Sequence, residues 1–352
     1  MKTLSYFEKR DLDNMQKIGS YLADLPEYCY DFFTGMELST SSLTRLNYAM
    51  DLSIFYDYIS RYVLNKDKAD ITLKDLDSLE ARHIESYLSY LSYYTVGDKV
   101  FRNTENGKAR KLASIRSFFR YLFNHDLISK NVVSKVPTPK LHTKGIVRLE
   151  GDEVEKLLDA VWEPSTFSAR QRNYNKNTKV RDNAIVTLFL GTGIRVSELV
   201  GLNVEDFDFQ QNAFKVTRKG GNQTILYYPN DVKYALMEWL SLRETLPIDE
   251  NEKAMFLSLQ NRRICTRAVE NIVRKFAYES TPLKKITPHK LRSTFGTNLY
   301  RETNDIYIVA DILGHKDVNT TKKHYAAISD DLRRNVAKKV RIYDEDQAHL
   351  DD

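Results

Sequence analysis

Apolar residues recur at three- and four-residue spacing over most of this chain, the period of an amphipathic helix. Residues 4–25 carry one such pattern until Pro26 interrupts it, and residues 27–36 form a shorter helical stretch that Gly35 ends. Ser39-Thr40-Ser41-Ser42 is a cap-like cluster. It precedes a stripe of Leu46, Met50, Ile54, Tyr58 and Tyr62 that runs to Leu64. Residues 79–94 place Ile84, Tyr87, Leu88 and Leu91 on one side. Residues 95–107 are polar, contain two glycines and read as a loop. Residues 108–125 form the clearest helix, with Leu112, Ile115, Phe118, Phe119 and Leu122 as its apolar face.

Pro137 and Pro139 then punctuate the chain, and the pattern changes after them. Residues 148–161 are helical, residues 163–179 read as a polar exposed insertion, and residues 181–190 are an apolar helix running into Gly191-Thr192-Gly193-Ile194-Arg195. The glycines allow a tight turn and place Arg195 at the start of the next helix. Runs rich in β-branched and aromatic residues at 207–209, 213–217 and 224–228 predict short strands. Arg218-Lys219-Gly220-Gly221-Asn222 reads as the hairpin turn between the last two, with Lys219 at its tip. Helices follow at 231–242 and 266–278, then at 329–339 with Leu332, Val336 and Val340 apolar, before an acidic tail. The fold class expected is mainly α with a small β-sheet: a helical domain over 1–140, a linker at 141–147, and an α+β domain over 148–352.

The length of 352 residues agrees with two domains. A net charge of +5 permits an anionic partner without demanding one, so the distribution of charge matters more than its total. Lys108, Arg110, Lys111, Arg116 and Arg120 lie along one predicted helix, and Lys130, Lys135, Lys140, Lys144 and Arg148 continue the series. This is either a solvated face with a basic linker or a stripe that tracks a phosphate backbone. Cys29 and Cys265 are far apart and have no companions at ligand spacing, which supports neither a disulfide framework nor a zinc site. With no signal-type apolar run near the first residue and no stretch of membrane-spanning length, a reducing cytoplasmic setting is expected.

The candidate chemistry concentrates in residues 287–325. Thr287 and Pro288 are suited to begin a helix, which places His289 and Arg292 on one face near its N-terminus. That end carries free N–H groups and partial positive charge, so the combination suits a phosphate. Leu313-Gly314-His315 resembles a helix C-cap followed by a second histidine, and Tyr325 comes ten residues later. The glycine-rich turn at 191–193 is not a nucleotide loop, because the lysine and second glycine of a P-loop are missing.

Taken in order, Arg195, Lys219, His289, Arg292, His315 and Tyr325 resemble the active-site set of the tyrosine recombinase (phage integrase) family. The stretches Gly-Thr-Gly-Ile-Arg-Val-Ser-Glu-Leu, Thr-Pro-His-Lys-Leu-Arg and Leu-Gly-His-Lys resemble its three strongest motifs. Within the family the chain is similar to Xer-type enzymes. Its Val-Thr-Arg-Lys-Gly-Gly and long N-terminal part resemble the XerS-like single recombinases. Two positions depart from the pattern: Ser293 stands where a His is common, and Arg218 where a Gly often precedes the hairpin lysine.

The resemblance implies a helical core-binding (SAM-like) domain followed by a catalytic domain. It also implies strand exchange in which Tyr325 forms a phosphotyrosine and frees a 5′-hydroxyl. Arg195 and Arg292 would clamp the phosphoryl oxygens, because a guanidinium fork fits them. Lys219 would be the general acid and His289 the base, with His315 on a non-bridging oxygen. The energy of the broken bond is retained in the phosphotyrosine, so neither ATP nor a metal or other cofactor is required. The expected partners are double-stranded DNA with an inverted-repeat core site and three further copies completing a homotetramer on two sites, with an accessory protein left open. The expected location is the nucleoid, with no membrane association. The apolar residues of 329–339 would dock on a neighbouring subunit or pack on their own domain. A type IB topoisomerase-like enzyme and a catalytically idle DNA-binding regulator stay open as other readings.

Overall fold

Ser5 and Ser41 start the two long helices that open the chain. The Ser5 hydroxyl accepts from the Glu8 amide, and the Glu8 carboxylate accepts from the Ser5 amide at 2.7 Å, a reciprocal cap on α1 (Tyr6–Leu22). The computed structural model describes residues 4–141, 147–218, 221–315, 317 and 318. Two units divide the chain, Met1–Lys144 and Gly145–Asp352.

In the first unit α2 (Tyr28–Gly35) follows Pro26, and α3 (Ser42–Ile59) begins at Ser41. A π turn, Ser60–Leu64, extends α3 until Asn65 takes a left-handed conformation. Next come α4 (Leu73–Ser78), capped by Thr72 and Asp75, and α5 (Ala81–Tyr90). The stretch 95–107, expected as a loop, contains most of a hairpin of β1 (Tyr94–Val96) and β2 (Lys99–Phe101), turned at Gly97 with φ 57°. Its strands are three residues long, too short to show a clear alternation. The helix α6 (Glu105–Asn124) then starts three residues earlier than expected.

The core of this unit is aromatic. Phe32, Phe55, Tyr56, Tyr87, Phe118 and Phe119 are buried and meet largely edge to face, with Phe32–Phe118 and Phe55–Tyr87 centroids 5.3 Å apart. A buried charged network accompanies them. Asp51 is fully buried on α3 and receives both terminal nitrogens of Arg110, at 2.6 and 2.7 Å, the Lys111 ammonium at 2.9 Å and the Ser114 hydroxyl at 2.7 Å. This network ties α6 to α3 and leaves neither carboxylate oxygen without donors.

The second unit is built on α8. Its first helix is α7 (Gly151–Trp162), and α8 (Ala169–Thr192) follows. The polar stretch 163–179 was expected to be an exposed insertion, but from Ala169 onward it is helix and continuous with the apolar run after Arg181. Ser168 caps it, and its buried side is made by Asn175, which donates to the Val161 carbonyl at 2.9 Å, and Thr178. A helix that buries amides and hydroxyls shows no apolar stripe.

Gly193 ends α8 in a left-handed conformation, and α9 (Val196–Leu199) begins at Arg195. The sheet follows: β3 (Phe207–Asp208), β4 (Ala213–Thr217) and β5 (Gln223–Tyr227), antiparallel in that order, with Thr217 opposite Gln223. Then come α10 (Asn230–Glu244), α11 (Thr266–Ser280), α12 (Pro288–Thr303) and α13 (Ile306–Leu313). The helices α7, α10 and α12 pack on α8, and α13 packs on α12. Tyr325, the stretch 329–339 and the acidic tail lie outside the described residues, as do Lys219 and Lys144.

The Asp51 network predicts a stability effect. Asp51→Ala leaves the enclosed Lys111 ammonium without its counter-charge and should lower stability by about 3–5 kcal/mol, read from urea unfolding of the full chain. Exchanging Asp51 and Lys111 together for apolar residues of similar volume should recover part of that loss.

Candidate active site

The site is assembled around the C-terminal end of α13. The Asp305 carboxylate opens this eight-residue helix by accepting from the Tyr307 and Ile308 amides. Gly314 closes it with φ 59°. Its N–H donates to the Asp311 carbonyl at 2.8 Å, and the His315 N–H donates to the Ala310 carbonyl at 2.9 Å. This is the Schellman arrangement, and it fixes the backbone of His315 directly behind the helix end.

The remaining carbonyls of that end would be orphans in an isolated helix, and they carry its partial negative charge. Three arginines from separate parts of the chain take them. Arg195 Nη2 donates to the Leu313 and Gly314 carbonyls at 3.2 and 3.0 Å. Arg292 Nη2 donates to the same Leu313 carbonyl, and its Nη1 donates to the Gly193 carbonyl at 2.5 Å. Arg218 Nη2 donates to the Ile312 carbonyl at 2.8 Å, and its Nη1 reaches Asp311 O at 3.4 Å.

Each arginine is aimed by its own local structure. Gly193 turns the chain so that Arg195 leaves the end of α8. A side chain at 193 would meet the Phe295 ring at 2.4 Å. Glu198, buried one turn into α9, accepts from the Arg195 backbone N–H at 3.0 Å and from its Nη1 at 2.7 Å. One fork edge is thereby held, with about a third of the side chain still open to solvent. Arg292 sits in the second turn of α12 and is buried. His289 lies three residues earlier on the same face of α12, exposed, in the first turn after Pro288. Arg218 follows the last residue of β4. Its N–H donates to the Asn222 carbonyl at 2.7 Å and its carbonyl accepts from the Gly221 N–H at 3.1 Å, which closes the hairpin. Burial lowers the pKa of its guanidinium, and the neighbouring Arg195 lowers it further, while Glu198 and Asp311 oppose that shift.

Arg195, Arg292 and the His315 backbone are therefore gathered at one helix end, with His289 on the Arg292 helix. Lys219 and Tyr325, the remaining two of the six, lie outside the described residues. Sequence reasoning missed Glu198, although it stands inside the quoted Arg-Val-Ser-Glu-Leu stretch. It also noted Arg218 only as a departure. Three guanidiniums against the two carboxylates Glu198 and Asp311 leave an excess of positive charge. Two of those guanidiniums share one carbonyl oxygen, a repulsive pairing that an anion placed between them relieves. The arrangement suits a phosphate diester whose non-bridging oxygens gain charge during reaction.

Comparison with known proteins identifies the family. The profile of the phage integrase family matches residues 147–331. The chain belongs to the phage integrase family. A tyrosine recombinase XerC of Caldanaerobacter subterraneus subsp. tengcongensis is 32% identical over 340 residues, covering 94% of this chain and 90% of the relative. A tyrosine recombinase XerS of Streptococcus equi subsp. zooepidemicus is 30% identical over 361 residues, covering 94% and 99%. Among solved structures, the XerH site-specific recombinase bound to palindromic difH in a post-cleavage complex matches with a TM-score of 0.64 at 19% identity, covering 84% of this chain and 80% of that one. A lambda integrase tetramer bound to a Holliday junction matches with a TM-score of 0.60 at 16% identity, covering 87% and 76%. At those identities the two structures bear on the fold alone. As a tyrosine recombinase the chain is a DNA strand-exchange enzyme.

The candidate phosphate-tracking residues of the first unit fare differently from one another. Lys111 drops out, because its ammonium is buried on Asp51. Arg110 engages the same carboxylate with half of its side chain exposed. Arg116 directs its fork at the Val136 carbonyl and the Thr138 hydroxyl. Lys108 pairs with Glu105 at 3.1 Å, and Lys140 is exposed.

Arg195 provides the sharpest test of the site. A lysine there cannot hold Glu198 and two carbonyls together while presenting a planar fork. Arg195→Lys should lower first-turnover DNA cleavage about 10²–10³-fold with DNA binding retained, as measured by covalent-adduct formation and gel shift.

Proposed function

We propose that this enzyme is a site-specific recombinase that cuts and rejoins DNA through a 3′-phosphotyrosine at Tyr325. The observation that carries the reading is the shared Leu313 carbonyl, which holds the Arg195 and Arg292 guanidiniums side by side at one helix end.

In the proposed reaction the Tyr325 oxygen attacks the scissile phosphorus and its proton passes to His289. The bond from phosphorus to the 5′-oxygen breaks, and Lys219 protonates the leaving oxygen. Arg195 and Arg292 neutralise the non-bridging oxygens as charge builds on them, with His315 as a further donor. A free tyrosine has a pKa near 10, so the assisted loss of its proton and the cationic surroundings act together. Rejoining is the same sequence reversed, with the 5′-hydroxyl of the partner strand as nucleophile.

The first unit serves as the core-binding domain over 1–140 and the second as the catalytic domain over 148–352, with 141–147 as linker. The proposed phosphate contacts of the first unit and its linker are the half-exposed Arg110 together with Lys140 and Lys144, whereas Lys108 is largely enclosed and paired with Glu105. The substrate is double-stranded DNA with an inverted-repeat core site, and four copies act on two sites. The tyrosine recombinase names of the relatives support DNA as the substrate, and the stoichiometry extends to this chain the tetramer in which lambda integrase was solved on a Holliday junction. Chromosome dimer resolution, or integration and excision of a mobile element, is the process served, in the cytoplasm at the nucleoid. Among the described residues no helix is long and apolar enough to cross a membrane.

Tyr325→Phe should bind target DNA as the wild type does and form no covalent adduct in denaturing gels. An adduct that persists in this variant would move the nucleophile to another residue, Tyr300 or Tyr307 being the next to test.

A further inference from the structure

Arg218 is not among the six positions of the family set, yet it is built into the same helix end. Its guanidinium bridges the Asp311 and Ile312 carbonyls, which immediately precede the Leu313 carbonyl that Arg195 and Arg292 share. It packs against Gly314: a Cβ on that glycine would fall 1.6 Å from Arg218 Nη1. A side chain at 314 would displace the Arg218 guanidinium from this place, and the φ of 59° favours glycine there independently. At its other end Arg218 closes the β4–β5 hairpin through backbone bonds to Asn222 and Gly221. The next residue in the chain is Lys219.

A hairpin anchored only through the strand pairs of β4 and β5 is free to hinge relative to the helices. A side-chain bridge from its last paired segment to the end of α13 removes that freedom at the residue adjoining the lysine. We infer that Arg218 is a positioning residue that latches the Lys219 hairpin onto the C-terminus of α13 and so sets where Lys219 delivers its proton. The inference rests on the proposed role of Lys219 as the acid for the leaving 5′-oxygen. It adds that the bridge at residue 218 fixes the segment of the hairpin that adjoins the acid. Misplacing a catalytic group by about 1 Å costs on the order of 10²-fold in rate, so the latch has a measurable consequence.

The test uses the full chain and a duplex selected by the wild-type protein from a randomised library. Its cleaved phosphate is mapped through the covalent adduct. Two versions are made, one with the natural 5′-bridging oxygen and one with sulfur there. The sulfur leaves without a proton, so only defects in proton delivery are rescued. Arg218→Ala should cleave the oxygen substrate about 10–100-fold more slowly and the sulfur substrate within about threefold of wild type, with gel-shift affinity unchanged. Lys219→Ala, run alongside, should show the same rescue. Arg218→Met keeps the apolar stem and removes the donors. It is the variant to read if Arg218→Ala lowers the thermal midpoint.

Normal cleavage of the oxygen substrate by both Arg218 variants would overturn the inference. So would slow cleavage of both substrates while Lys219→Ala is rescued, a pattern that leaves the assignment of Lys219 standing. A Lys219→Ala variant that sulfur does not rescue would remove that assignment and the inference with it.

Discussion

The carbonyl oxygen of Leu313 accepts from two guanidiniums at once, and the geometry of the site follows from that sharing. Guanidiniums repel, and in water nothing would bring them to one atom. Here the end of a helix supplies partial negative charge and unsatisfied acceptors in a fixed array. Gly314 terminates the helix tightly enough for the array to stay open, and α12 and the start of α9 deliver Arg292 and Arg195 to it from 21 and 118 residues earlier in the chain. Because the acceptors are backbone atoms, the cations are placed by the path of the chain rather than by flexible side chains.

This arrangement bears directly on catalysis. A phosphoryl group in reaction gains charge on its non-bridging oxygens, and donors that are already in position need not reorganise when that charge arrives. The electrostatic cost of gathering the arginines is met when the protein folds, partly by Glu198 and partly by the helix end. An incoming phosphate then finds a surplus of positive charge whose own repulsion it relieves. Ground-state binding alone would not require the two forks to converge. Convergence is what charge growth at one phosphorus asks for.

Much of this was legible in the sequence. Ser41, Thr287 with Pro288, and Gly314 marked helix ends because caps are local chemistry, and the apolar stripes of α3 and α6 marked their buried faces. The three strands and their hairpin were visible as β-rich runs around Gly220-Gly221. What escaped notice depends on partners that leave no side-chain signature. Half of α8 was hidden because it buries Asn175 and Thr178 instead of leucines. Arg218 was hidden because its partners are carbonyls nearly a hundred residues away. Glu198 sat in plain view within a motif, but only the fold shows its carboxylate reaching back to Arg195.

The basic helix α6 teaches a related lesson about charge. Lysines and arginines along one helix suggested a track for a phosphate backbone, and the net charge of +5 permitted it. Yet neighbouring positions on that helix have opposite fates. Lys111 turns inward to neutralise Asp51, Arg110 reaches the same carboxylate from a half-exposed position, and Arg120 stays exposed. One buried carboxylate thus redirects cations that composition would assign to DNA. Only an exposed cation can exchange its counterions for a phosphate, so the electrostatic footprint of this unit is set by where its acids lie.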